Sequence, residues 1–328
     1  MYVNICDGLR KEHGYDITAK GYNKEDAEDD PIVFHDMVKD SQDADFILIK
    51  CMSDPGRFKR FEAYEKILRT CRADIFIFSG NLDVRLLYRD LFKDTDENYL
   101  LLSKYAELRG KENDTGIFLW AYRKYVDDSI ELPEPVEQRT DGIYHPDFDR
   151  DVGLDDYLST LKEDRPTAGF LFTSNLWIYN NLKHIDFAIR KIESLGMNVI
   201  PVFYSVSTSS ISGRKNSADV VMEYFTMDGK PTIYVLLMNS PFSQLIGSRD
   251  SDYGVETPAE QNFFRTVLNV PVIQMMTQTG EFKDYEETAE GIRKSEIRAM
   301  VSWPELDGQI ISVPAANSVM IPKRMEPL

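Results

Sequence analysis

Cysteine and histidine are scarce in this chain, three of one and four of the other among 328 residues. Cys6, Cys51 and Cys71 are odd in number and widely spaced, with no CxxC pair. Neither a disulfide framework nor a cysteine zinc site is expected from them, and they read as small buried hydrophobes. His13, His35, His145 and His184 form no HExxH motif and no pair at ligand spacing. A GxxxxGK(S/T) loop, a GxGxxG turn after a strand and a GxSxG elbow are all missing as well. ATP hydrolysis through a phosphate loop, dinucleotide binding and self-contained hydrolase or metalloenzyme chemistry are therefore not expected. A binding lobe suits the residues better.

Basic residues are outnumbered, 38 Lys and Arg against 55 Asp and Glu, which leaves a net charge of −17. Such a surface repels phosphate backbones and anionic lipid, so nucleic acid and membrane surfaces are poor partners. A neutral or cationic small ligand, or a basic protein, stays open. The opening "MYVNICDGLRKEH" lacks the apolar stretch of a signal peptide, and no apolar run approaches a membrane span. A soluble cytoplasmic protein is the expectation. With 42% hydrophobic and 28% charged residues, the chain is long enough for two domains with cores of their own.

Strand-like and helix-like segments alternate along it. "DADFILIKC" (Asp43–Cys51) and "ADIFIFSG" (Ala73–Gly80) read as strands buried on both faces. Between them Phe58, Phe61, Tyr64 and Leu68 stand near helical spacing, which makes a strand–helix–strand crossover. "DVRLLYRDLF" and "YLLLSKYAELRG" read as further helices, the second closing at Gly110, and "TGIFLWAYRKYV" as a helix by its length. "ELPEPVEQRTDGIYHPDFDRDVG" carries Pro133, Pro135, Pro146 and many acids, so it is expected to be irregular and to mark the boundary between domains 1–140 and 141–328.

Beyond that boundary "TAGFLFTSN" and "NVIPVFYSV" read as strands. The helix between them lines up Leu182, Ile185, Ile189 and Ile192, stops at Gly196 and leaves His184 on its polar flank, facing solvent. "ADVVMEYFT" favours a helix, with a hairpin at Asp228-Gly229 as the alternative. "PTIYVLLMNS", "VPVIQMMT" and "QIISVP" read as strands, and "TPAEQNFFRTVL" as a helix capped by Thr257, Pro258 and Glu260. The whole is expected to be α/β: two lobes of doubly wound, mostly parallel sheet flanked by helices.

In such sheets ligands settle beyond the carboxyl ends of the strands. The polar tips there are Thr173-Ser174-Asn175, Tyr204-Ser205, Asn239-Ser240-Pro241-Phe242 and Thr277-Gln278-Thr279. Most such tips serve only their own turns, and Asn175 and Asn239 are kept as candidate substrate contacts. His145, in "GIYHPD", is a further candidate because imidazole can bind or exchange a proton near neutral pH. In "SWPELDGQI", Asp307-Gly308 has turn chemistry, whereas Glu305 beside Pro304 has no such explanation. Glu305 is the candidate catalytic carboxylate, with Asp307 and Gly308 shaping its loop.

The order "GIYHPD", "RPTAGFLF", "LGMNVIPVF", "LNVPVIQMM" and "AEGIRKSEIRAMVSWPELDG" resembles the large subunit of the cobalt and magnesium chelatases, the CobN/magnesium chelatase H family, over about residues 140–312. PELDG is the most specific of these pieces. The resemblance implies ATP-dependent insertion of Co²⁺ or Mg²⁺, the substrate ion, into a tetrapyrrole, a metal–nitrogen ligase reaction of cobalamin or chlorophyll-type synthesis. It also implies that separate AAA+ subunits use the ATP, so this chain alone binds no cofactor. Carboxylates then have a task, because the macrocycle must lose two pyrrole N–H protons and the ion is hard and hydrated.

Two departures narrow that reading. The family's residues most often linked to chelation lie downstream of PELDG, and Thr173-Ser174-Asn175 replaces an Arg-containing stretch ending in His. The chain is expected to be an amino-terminal piece of a cobaltochelatase-type large subunit that helps form the tetrapyrrole cavity, or a short relative without the catalytic part. The alternative is a non-catalytic scaffold that docks AAA+ subunits. An unrelated two-lobed α/β binder is the third.

Overall fold

The computed structural model describes residues 2–51, 54–205, 215, 217–239, 267–278, 297, 301–306, 309 and 311–317. The chain divides into two compact units, Met1–Gln138 and Arg139–Leu328.

In the first unit the elements run α1 (Tyr2–His13), α2 (Lys24–Asp29), α3 (Pro31–Asp43), β1 (Phe46–Cys51), α4 (Phe61–Leu68), β2 (Asp74–Ser79), α5 (Leu82–Leu87), α6 (Asp96–Leu108) and α7 (Gly110–Tyr125). Several helices start where a short polar side chain replaces a missing backbone partner. Asn23 accepts from the Asp26 N–H, Asp30 from Ile32 ahead of Pro31, Asn81 from Asp83 and Thr95 from Asn98. β1 and β2 pair in parallel across the α4 crossover.

β2 is buried at every position, and its alternation feeds two cores. Ile75 and Ile77 pack with Met37, Phe61, Tyr64 and Leu68 on one face. Phe76 and Phe78 pack with Tyr99, Leu102, Tyr105 and Trp120 on the other. Helices thus cover both faces, as the unbroken apolar runs require. The first residue of β2, Asp74, is itself buried. It accepts from the Lys93 N–H at 2.8 Å, from Lys124 Nζ at 2.5 Å and from the Tyr125 hydroxyl. The charge is answered, and the end of α7 is tied to the start of the strand.

α7 begins at Gly110, ahead of the expected start at Thr115, because Arg109 and Gly110 both take positive φ (59° and 92°) and turn the chain straight from α6 into α7. The helices then pack so closely that a Cβ on Gly116 would stand 2.6 Å from the Tyr105 ring.

The second unit continues with β3 (Asp141–Ile143), α8 (Leu154–Leu158), β4 (Thr167–Thr173), α9 (Ser174–Ile178), α10 (Lys183–Ser194), β5 (Asn198–Tyr204), α11 (Ser217–Phe225), β6 (Thr226–Met227), β7 (Lys230–Pro231), β8 (Val235–Asn239), β9 (Val272–Gln278), α12 (Trp303–Leu306) and β10 (Ile311–Asn317). Six strands form one sheet in the order β10-β9-β8-β4-β5-β3, parallel except for β3, which runs against β5. The mixed α/β architecture with a mostly parallel sheet between helices is the one expected from the residue pattern. β3 corrects one expectation: the proline-rich stretch holds a regular strand, since Asp141-Gly142-Ile143 falls between Pro135 and Pro146 and completes the sheet edge.

Pro201 sits inside β5 without breaking it. Its carbonyl accepts from the Tyr144 N–H at 2.9 Å. In a strand the N–H and C=O of one residue point to the same side, so the missing donor faces the short β3 and costs no bond to β4.

Again the pleat divides the core. Leu171, Ile200, Val202, Leu236 and Met238 pack against Tyr157 and the α11 residues Val221, Tyr224 and Phe225. Phe170, Phe172, Val199 and Phe203 pack against Trp177, Ile185, Ile189 and Ile192. α10 ends at Gly196, with φ of 81°. "ADVVMEYF" is helical, and the hairpin reading is realised directly after it: two-residue strands turn at Asp228 and Gly229, both with positive φ (51° and 73°). The helix expected from Thr257 lies outside the described residues as far as residue 266.

Gly116→Ala should lower the urea unfolding midpoint. Overpacking against the Tyr105 ring costs about 1–3 kcal/mol, more than the ~1 kcal/mol that alanine gains over glycine within a helix. An unchanged or raised midpoint would show that the two helices separate freely.

Candidate functional site

β4 is the pivot of the second sheet. The crossover from β4 leads to β5 on one side, and the chain then returns to place β8 on the other side. Connections that leave in opposite directions open a crevice beyond the carboxyl ends of the two central strands, here β4 and β8. Phe172 pairs with Asn239, so the chain past β4 and the end of β8 reach this edge together. Asn175 stands there in the first turn of α9, after the buried Ser174, and Asn239 is the last residue of β8. The structure thus brings two sequence-chosen residues to one edge.

The same edge holds His184, at the start of α10. The expectation that it faces solvent is corrected: the side chain is only 8% exposed. Its Nε2 lies 3.3 Å from Asn239 Oδ1, and Asn239 Nδ2 donates to the Met275 carbonyl at 3.1 Å, so α10, β8 and β9 share one polar link. Burial pushes the His184 pKa below its ordinary 6.5. The helix stripe concealed this residue, because His184 precedes Ile185 at the helix start, where the surrounding loops decide exposure.

His145 has a different surrounding. It is buried, with Nε2 3.2 Å from Glu193 Oε1, and its Nδ1 accepts from the Asp147 N–H at 3.2 Å. Tyr144 donates its hydroxyl to Asp186 at 2.7 Å, and the Arg190 guanidinium grips both carboxylate oxygens of Asp147 and bonds Glu193 at 3.1 Å. Asp186, Arg190 and Glu193 are four and three residues apart, one polar stripe of α10. "IYHPD" is therefore a clamp that fixes the sheet edge to α10, and both imidazole nitrogens are spent on it. Its signal in sequence was the charged stripe opposite Ile185, Ile189 and Ile192.

Glu305 is exposed in the four-residue α12. α12 precedes β10, and the Gln309 N–H folds back to the Pro304 carbonyl at 2.8 Å, so Glu305 enters at the amino edge of the sheet. The structure does not bring it to Asn175 and Asn239. Asp307 and Gly308 lie outside the described residues, as do Ser240, Pro241, Phe242 and Thr279. Among the described residues no group of three or more His, Cys, Asp and Glu could hold a metal ion, and no helix is long and apolar enough to cross a membrane.

Arg190→Gln should loosen the clamp in a pH-dependent way. The arginine pair holds the Asp147 carboxyl below its ordinary 3.8, so its stabilisation is present above that value and lost as pH falls through the depressed one. The gap in unfolding midpoint between wild type and variant should be constant at about pH 6–8 and close on acidification through the carboxylate range. A gap that ignores pH would mean that packing and not charge is lost.

The CobN/Magnesium Chelatase family model matches residues 103–326. An uncharacterised protein of Methanocaldococcus jannaschii is 28% identical over 243 residues, which cover 72% of this chain and 19% of that protein. The H-type subunit of the magnesium chelatase of Chlorobaculum parvum is 25% identical over 221 residues, 65% of this chain and 16% of that one. The catalytic subunit of cobaltochelatase from Mycobacterium tuberculosis shares the fold, with a TM-score of 0.51 at 15% identity over 88% of this chain and 22% of that chain. This chain thus spans about a fifth of the length of these relatives. With more than half of its residues matched by the family model, the chain belongs to the CobN/magnesium chelatase family.

Proposed function

We propose that this chain is part of a cobaltochelatase-type large subunit and contributes tetrapyrrole contacts from the carboxyl edge of its second sheet. The observation that carries the reading is the reversal of strand order between β4 and β8, with Asn175 and Asn239 at the carboxyl edge there, in a chain of this family. An amide both donates and accepts, which suits the carboxylate or carboxamide rim of a tetrapyrrole, while the ring itself needs an apolar wall. Co²⁺ or Mg²⁺ is the substrate ion, and the reaction belongs to cytoplasmic cobalamin or chlorophyll-type synthesis. AAA+ partner subunits use the ATP, in keeping with the missing phosphate loop. Glu305, exposed on the amino edge, takes up a pyrrole proton or holds the hydrated ion only in the assembled enzyme, with Asp307 and Gly308 shaping its loop.

Titration with a metal-free porphyrin or corrinoid should shift the macrocycle's absorption, and Asn175→Ala should weaken binding about tenfold, the worth of one good hydrogen bond. Glu305→Gln should leave macrocycle affinity unchanged and slow metal insertion by the complete enzyme; an unchanged rate would remove it from the reaction. The net charge of −17 also suits the steering of a basic partner. Capture of AAA+ subunits by a chain that leaves the absorption unmoved would replace the binding reading by a docking one.

A further inference from the structure

The hydrogen bonds around His184 determine which nitrogen carries its proton. The Met275 carbonyl can only accept, so the Asn239 side chain must turn its NH₂ toward it, at 3.1 Å. That leaves Asn239 Oδ1, an acceptor, facing His184 Nε2 at 3.3 Å. Nε2 is therefore the protonated nitrogen. A neutral imidazole then has a bare lone pair on Nδ1, and burial disfavours the doubly protonated cation.

Nδ1 is buried and has no hydrogen-bond partner among the described residues. An acceptor left like this lowers stability and is uncommon in folded chains. His145 differs, for its Nδ1 is satisfied by the Asp147 N–H. The imidazole that carries it lies at the sheet edge where the strand order reverses, with its other nitrogen, Nε2, beside Asn239.

We propose that Nδ1 of His184 is a ligand-recognising acceptor, set in its tautomer by the Asn239–Met275 relay, for an N–H donor on the molecule bound at this edge. The assignment rests on the tetrapyrrole reading above and adds a residue and a polarity to it. A tetrapyrrole offers such a donor from two sources, the pyrrole N–H groups of the metal-free ring and any carboxamide on its rim. Asn239 acts here as a positioning residue: its amide presents the oxygen that keeps the proton on Nε2 and the lone pair on Nδ1.

His184→Gln separates the two roles of the side chain. The glutamine amide nitrogen reaches the place of Nε2 and can still donate to Asn239, but nothing replaces Nδ1. Two probes distinguish the donor. A metal-free porphyrin dicarboxylate carries N–H groups only in its ring, and the palladium(II) complex of the matching dicarboxamide, whose square-planar ion takes no axial imidazole, carries them only on its rim. Affinity lost about tenfold for one probe and kept for the other supports the proposal and names the donor; a loss for both supports it with donors at both places.

Equal affinity of wild type and variant for both probes overturns the acceptor role and leaves tetrapyrrole binding standing. Failure of the wild-type chain to bind either probe overturns both. Nitrogen-15 NMR of the free wild-type chain, which needs no variant to fold, should show a neutral His184 protonated at Nε2. A proton on Nδ1 instead overturns the assignment.

Discussion

β4 has a strand on each side and a helix layer on each face, so Phe170, Leu171 and Phe172 are wholly removed from water. Each of its backbone groups must then be paired within the sheet, since no solvent reaches them. This constraint sets the register of both neighbours at once. Phe172 opposite Phe203 on one side and opposite Asn239 on the other puts the strand ends at one level, and there the chain must leave for α9. Polar side chains collect at that level because the strands end while the helices still cover both faces. The polar edge is a consequence of sheet order, and Asn239 there satisfies the buried strand end by donating to the Met275 carbonyl.

The outer half of the sheet depends on a second arrangement. β3 is three residues long and antiparallel, too short to hold its place by ladder bonds alone. Asp141 accepts from Lys215 at 3.1 Å and from the Tyr224 hydroxyl at 3.0 Å, and the residues just after the strand engage α10 through Tyr144, His145 and Asp147. The edge is thus secured by side chains on both faces of the sheet. Its charged pairs are partly exposed, so their worth is modest singly and lies in fixing geometry together. For His145 this outweighs any contact role, because an imidazole bound at both nitrogens has no lone pair or proton left to offer.

Much of the fold was legible from the residues. Runs such as "DIFIFS" and "AGFLFT" are apolar at successive positions, and only a strand covered on both faces accommodates that. The stripe of Ile185, Ile189 and Ile192 could be read because 3.6-residue periodicity survives whatever lies opposite. β3 was not legible, as three residues containing a glycine carry no periodicity and the neighbouring prolines argue against a strand. His184 was misplaced for a related reason: burial at a helix start is decided by the end of β8, remote in sequence. The candidate site shows the same division. Asn175 and Asn239 could be placed at the carboxyl edge because the end of a strand is a local property, whereas the relay from His184 to Met275 joins α10, β8 and β9 and has no local signature.

The two edges of the sheet also separate two chemical tasks. A seven-residue strand spans about 23 Å, so a carboxylate entering below β10 stands far from Asn175 and Asn239 at the opposite edge. On the tetrapyrrole reading proposed above, macrocycle contact and carboxylate chemistry therefore fall to different surfaces of this unit. On that reading the carboxyl edge contributes neutral donors and acceptors, with burial disfavouring charge on His184, and neutral groups accept both the metal-free ring and its metallated product without favouring either through charge. Removing pyrrole protons needs a stronger base than a buried, neutral histidine, because the depressed basicity that keeps the imidazole uncharged also makes it a poor proton store. In the proposed site His184 recognises an N–H, and the proton is taken up by a group that water can reach, such as the exposed Glu305.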